Sequence, residues 1–239
     1  MKNATAYAKK LRGLMRKVKA EPAPTEPPTD PIQQIIYAFM LWETTRRQAD
    51  QAYGRLTRAF VDINELRVSD PYEILQAMGD RYSKADERAL KLRETLNAIY
   101  NNEHAVSLEG LKDQSKRDAR AYLDSLTGIE PFVAASVMLH SLGGHAVPVD
   151  EQLVAKLKRD GIVDEEAALG DVQSFLENNI KAADGLKAHD TLRTYVESGG
   201  SSAARTTKKS SKKTTKKSTK KKSSKKKSSK KKSTKKSGR

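Results

Sequence analysis

The sequence predicts an all-α fold with disordered basic ends, and three observations carry that prediction. Apolar residues in the central body recur with a period of 3.6 rather than 2. Helix-start signals precede them, as in Asp30-Pro31 and Asp70-Pro71, where a capping residue is followed by proline at the first helical position. The last 39 residues, 201–239, contain 17 Lys, 2 Arg, no acid and no aromatic or branched aliphatic residue, so they cannot bury a core.

Taken in order, residues 1–20 form a basic amphipathic segment with 7 Lys and Arg and no acid. Tyr7, Leu11, Leu14, Met15 and Val18 stand at helical spacing. Residues 21–30 are a Pro-rich linker, because Pro22, Pro24, Pro27 and Pro28 bar a helix interior. The folded body is expected over 31–198. Ile32, Ile35, Ile36, Phe39 and Met40 open its first helix behind Asp30, and Leu56, Phe60 and Ile63 continue the pattern. Asp70-Pro71 starts another through Ile74 and Leu75. A long helix over 85–100 sets Ala89, Leu92, Leu96 and Ile99 on one face. Helices over 120–126, 131–142, 150–158, 168–178 and 188–196 follow, for eight to ten in all. Phe39 and Trp42 read as core residues.

Charge divides the chain. Residues 1–200 hold 27 Lys and Arg against 30 Asp and Glu, and residues 21–200 hold 20 against 30, so an acidic body sits between basic ends. Residues 199–239 are expected to be a disordered, extended polycation reaching at most roughly 130 Å. Its lysines, among them Lys212, Lys213, Lys220, Lys221, Lys222, Lys225, Lys226 and Lys227, suit the phosphates of double-stranded DNA. With no apolar anchor beside them, an anionic membrane surface fits less well. With no aromatic, the tail is not a platform for single strands.

There is no Cys, which excludes disulfides, thiolate zinc sites, iron–sulfur clusters and a Cys nucleophile. No run of about 18 apolar residues exists, so no membrane span is expected. The N-terminal segment lacks the apolar core of a signal peptide. His140, His145 and His189 show no acidic ligand at motif spacing, so neither metal nor cofactor is expected.

Residues 122–150 carry the chemistry. They read as helix, tight glycine turn at Gly128, helix, extended Val147-Pro148-Val149, then Asp150 before another helix. A turn of this kind can point the N–H groups of Thr127, Gly128, Ile129 and the following helix start at a phosphate. Asp150 is placed as an N-cap on local grounds.

Leu126-Thr127-Gly128-Ile129, then Leu142-Gly143 and Val147-Pro148-Val149-Asp150, resemble the helix-hairpin-helix and Gly/Pro-Asp signature of the endonuclease III-type (HhH-GPD) DNA glycosylases, without a gap. Residues 35–45 ending in Thr44-Thr45 resemble that family's first core helix and its Gln-Thr-Thr turn. Tyr82-Ser83-Lys84-Ala85 resembles a helix start, and residues 188–193 its last helix. The resemblance spans roughly 31–197. It implies an all-α glycosylase-like domain, double-stranded DNA as partner, an intracellular DNA-associated location (bacterial cytoplasm or nucleoid, or a nucleus) and Asp150 as the catalytic carboxylate.

The departures shape the expected function. Where bifunctional relatives carry the Schiff-base lysine, six positions after the first hairpin leucine, this chain has Phe132; Lys116 and Lys156 lie outside the hairpin. Glu130 replaces the second hairpin glycine, and Pro131 removes one N–H. Glu43 stands for the glutamine, and the four-cysteine cluster is missing. The expectation is therefore a DNA-binding protein of this repair fold without β-lyase activity and without catalysis. The alternatives are an active monofunctional N-glycosylase using Asp150, whose carboxylate would stabilise an oxocarbenium-like centre, and a nucleoid-compacting, linker-histone-like protein.

Overall fold

The structure, a computed structural model, describes residues 4–21, 23, 25–79 and 82–198. Among these it contains eleven α-helices, two 3₁₀ turns and no strand. The lysine-rich tail expected to be disordered, including Lys212, Lys213, Lys220, Lys221, Lys222, Lys225, Lys226 and Lys227, lies outside the described residues.

Local capping sets most helix starts. Asp30 caps α2 (Pro31–Leu41), its Oδ1 accepting from the Gln33 N–H at 2.8 Å. Thr45 and Gln48 form a reciprocal capping box on α3 (Arg46–Ala59). The apolar pattern read as continuous through Phe60 and Ile63 is broken there. Phe60 ends α3, and Asp62 caps a separate short helix, α4 (Ile63–Val68), through the Glu65 N–H at 2.8 Å. Asp70 and Glu73 box α5 (Pro71–Met78), followed by α6 (Ala85–Glu103). Ser115 caps α7 (Lys116–Ser125), which therefore starts four residues before the apolar pattern announces it. Then come α8 (Pro131–His140), α9 (Glu151–Arg159), α10 (Leu169–Asn179) and α11 (Gly185–Ser198).

Two apolar cores organise these helices. The larger gathers α3–α8 around α2, whose residues are buried on almost every side, Gln33 excepted. The smaller joins α9, α10 and α11 to Val147 and Val149. It also takes in α1 (Ala4–Lys17), whose Ala8 and Leu11 are buried in it. The basic N-terminal helix thus packs on the body as one of its elements. Its apolar stripe is what binds it there, and its cations are left facing out.

The two cores are stapled by polar contacts from α11. Arg46 at the start of α3 pairs with Glu197 at 3.0 Å and donates to Thr194 Oγ1 at 3.0 Å and to the Glu21 carbonyl at 2.7 Å. The pair is largely buried, so removing one partner would leave an uncompensated charge.

Candidate functional site

The α7–α8 hairpin begins at Leu126, buried in the larger core. Gly128 turns the chain at φ 83°, and a Cβ there would stand 2.7 Å from the Glu94 Cβ and 2.8 Å from the Lys91 carbonyl oxygen. Only glycine lets the turn press this closely on α6. The Ile129 N–H donates to the Leu126 carbonyl at 3.3 Å, while among the described residues the Thr127 and Gly128 N–H groups meet no protein acceptor. Glu130 sits at the N-cap of α8 without capping it. Its carboxylate instead pairs with the Lys91 ammonium, which also pairs with Glu87 at 2.7 Å. The acid that replaces the second hairpin glycine is thus largely neutralised by α6. Burial works to lower the Lys91 pKa, but the two carboxylates outweigh it and raise it.

Asp150 caps α9, with Oδ1 accepting from the Leu153 N–H at 2.8 Å. Its Oδ2 accepts from the Glu43 N–H at 3.2 Å and from Arg193 Nη1 at 2.9 Å. The Asp150 side chain is 0% exposed and that of Arg193 3%. Arg193 also donates through Nη2 to the Thr44 carbonyl. Phe132, the second residue of α8, is buried with its ring centroid 5.9 Å from the Arg193 guanidinium. The hairpin helix and the Gly/Pro-Asp segment therefore meet through Arg193. Both oxygens of the carboxylate already hold donors, and its charge is balanced by a buried cation.

A second cluster adjoins it at the end of α2. Glu43 and Lys84 both adopt left-handed backbone, φ 52° and 51°, which costs a non-glycine residue about 1 kcal/mol or more. They pair with each other at 3.0 Å. Gln152 Nε2 holds the Glu43 carbonyl at 2.7 Å. Lys84, Arg88 and Lys91 stand 4.7, 5.3 and 5.2 Å from the Trp42 ring centroid. Trp42 is buried, and so is Phe39. Arg88 is itself fully buried, donating to the Ser83 carbonyl at 2.9 Å and to the Phe39 carbonyl.

Of the three histidines weighed as metal ligands, His140 and His189 lie together, Nε2 to Nδ1 3.2 Å. His145 stands apart, its Nε2 2.8 Å from the Glu177 carbonyl. Among the described residues no cluster of three or more His, Asp or Glu is arranged to hold a metal. Burial pushes the His140 pKa down to about 4. It pushes His189 well below the histidine range, with His140, Arg193 and Arg46 adding to the effect.

The predicted Thr127, Gly128 and Ile129 share the hairpin turn, and Asp150 lies beyond it behind Arg193. Lys84 and Arg193 fell within segments that the resemblance marked but were not singled out as site residues, and Arg46 escaped sequence reasoning. The one available signal was the His189/Arg193 pair at i, i+4, which puts both on a single face of α11.

No protein-family model matches the sequence. A thymine-DNA glycosylase of Aeropyrum pernix is 24% identical over 133 residues, and the chain spans about half the length of that relative, 54% of each. Among solved structures, a trapped endonuclease III–DNA covalent intermediate superposes with a TM-score of 0.61 at 15% identity, covering 82% of this chain and 86% of that one. The Clostridium acetobutylicum 8-oxoguanine glycosylase/lyase bound to double-stranded DNA gives 0.60 at 18% identity, over 83% and 71%. A thermostable thymine-DNA glycosylase gives 0.57 at 15%, over 81% and 85%. With its all-helical architecture, its Gly128 hairpin and its Asp150-capped helix, the chain has the endonuclease III-like helix-hairpin-helix fold of the DNA glycosylases.

Proposed function

We propose that the protein binds double-stranded DNA on this fold, acts without AP-lyase chemistry, and does not excise bases, serving as an intracellular DNA-associated protein of base-excision-repair descent. The observation that carries the reading is the Asp150 carboxylate, 0% exposed and ion-paired to Arg193. A carboxylate that stabilises a developing sugar cation needs uncompensated charge facing the sugar. Here that charge is balanced at 2.9 Å by a guanidinium. Phe132 offers no amine for a Schiff base.

DNA contact falls to the Thr127 and Gly128 N–H groups and to the tail lysines, which would release counterions on binding. A tail engaging about 6–10 phosphates would lose roughly 10³–10⁵ in affinity between 50 and 200 mM salt.

The test incubates the full-length protein, and protein truncated at Gly200, with duplexes carrying uracil, mispaired thymine, oxidised or alkylated bases, followed by alkali. No alkali-labile sites are expected from either form. Base release that disappears in a folded Asp150→Asn variant would replace this reading with a monofunctional glycosylase. Condensation of DNA by a 201–239 peptide as complete as that by the full chain would favour the linker-histone-like reading.

A further inference from the structure

We propose that the trough between α1 and the α10–α11 connection is a second binding site for a nucleic-acid phosphodiester backbone, on the opposite side of α11 from Asp150. A cavity of about 340 Å³ opens there, walled by Arg12 and Arg16 of α1 and by Lys181 and Lys187 across from them. Met15, Ile180 and Ala188 floor it, and Asp184 is its one carboxylate. A second hollow of about 530 Å³ continues from it past Arg12 and Lys181 to His145, Asn178 and Asn179.

Three observations point to a backbone. The four cations form no ion pair among the described residues, whereas Arg46, Lys84, Lys91 and Arg193 are all paired. Lys181 and Lys187 belong to residues 21–200, which are net acidic, and α1 brings Arg12 and Arg16 against them from the acid-free N-terminal segment, so the trough is a local cationic field on that acidic surface. The two hollows share Arg12, Asn179, Ile180 and Lys181 in their walls and together offer more room than one phosphate fills, and two arginines supply the planar fork that phosphate oxygens favour. The face is distinct from the hairpin. On α11, His189 and Arg193 turn towards His140 and Asp150, whereas Ala188 and Thr191 line the trough. Residues 189 and 191 lie about 200° apart around a helix. A protein with both faces engaged would hold two DNA segments or one bent segment.

The choice of DNA as ligand rests on the reading above, but the site does not depend on the hairpin. Lysine acetylation of the full-length protein, read residue by residue by mass spectrometry, tests it with and without a 20-bp duplex. At a duplex concentration about ten times its dissociation constant, acetylation of Lys181 and Lys187 should slow about tenfold. That protection should be lost in Arg12→Gln/Arg16→Gln, two exposed substitutions.

Unchanged rates at Lys181 and Lys187 while the tail lysines are protected would overturn the site. So would protection that survives Arg12→Gln/Arg16→Gln. Equal protection by a mononucleotide at the same phosphate concentration would overturn the backbone assignment in favour of a small anion. Lys91, paired with Glu130 at the hairpin, reports the first DNA face in the same experiment, so failure of either idea is seen separately.

Discussion

Arg193 on α11 holds the Asp150 carboxylate at 2.9 Å, and neither side chain is more than 3% exposed. The pair closes the Gly/Pro-Asp segment against the last helix and binds both to the end of α2 through the Glu43 N–H and the Thr44 carbonyl. The Asp150 carboxylate is thereby part of the packing between these elements.

Breaking that pair from one side leaves a buried charge alone. Arg193→Met and Asp150→Asn should each destabilise the protein by about 3–5 kcal/mol. Asparagine keeps the N-cap, so the Asp150→Asn loss reports the ion pair rather than the cap. The double variant should cost less than the two added, and urea denaturation in a double-mutant cycle measures the difference. Strict additivity would show that the two residues do not act together.

Phe132→Lys should not restore a lyase. The position is buried beside the Arg193 guanidinium, so the new ammonium would meet a like charge without solvent. Loss of the ring alone costs about 3–5 kcal/mol. Borohydride treatment with abasic duplex should trap no covalent adduct at residue 132, and a trapped adduct would show that the pocket can admit a sugar.

Two glycines separate backbone strain from crowding. Gly143 has φ 60°, and the space that a Cβ would occupy there is open, so Gly143→Ala should cost only about 1–2 kcal/mol. Gly128→Ala adds contacts of 2.7 and 2.8 Å with α6 and should cost clearly more. Thermal unfolding of the two variants ranks them; equal losses would mean that the hairpin can lift off α6.

Acid should destabilise the protein through His140 and His189. Burial depresses the pKa of both in the folded state, so the unfolded chain binds more protons below about pH 6.5. Stability is therefore complete above that pH and is lost as pH falls towards the folded value of about 4 for His140. Between pH 7 and 5 the loss from His140 alone should be about 2 kcal/mol. Unfolding free energies across that range, compared with His140→Gln, check it; an unchanged slope in the variant would assign the acid loss elsewhere.

The sequence by itself determined the helical class and most helix positions, because period and capping act over four residues or fewer. Asp30, Asp70 and Asp150 were readable as caps, and Gly128 as the hairpin glycine, for that reason. The break after Phe60 was hidden because Asp62 restarts a helix in the same apolar register.

The tertiary structure alone decided what surrounds the site. Arg193 meets Asp150 across 43 residues, Lys84 meets Glu43 across 41, and Glu197 meets Arg46 across 151. No local pattern encodes such partners, since a charged residue on a helix reads as solvent-facing until a second helix covers it. The same holds for α1. Its amphipathic stripe was visible, but the core of α9, α10 and α11 that receives Leu11 exists only once those helices have packed.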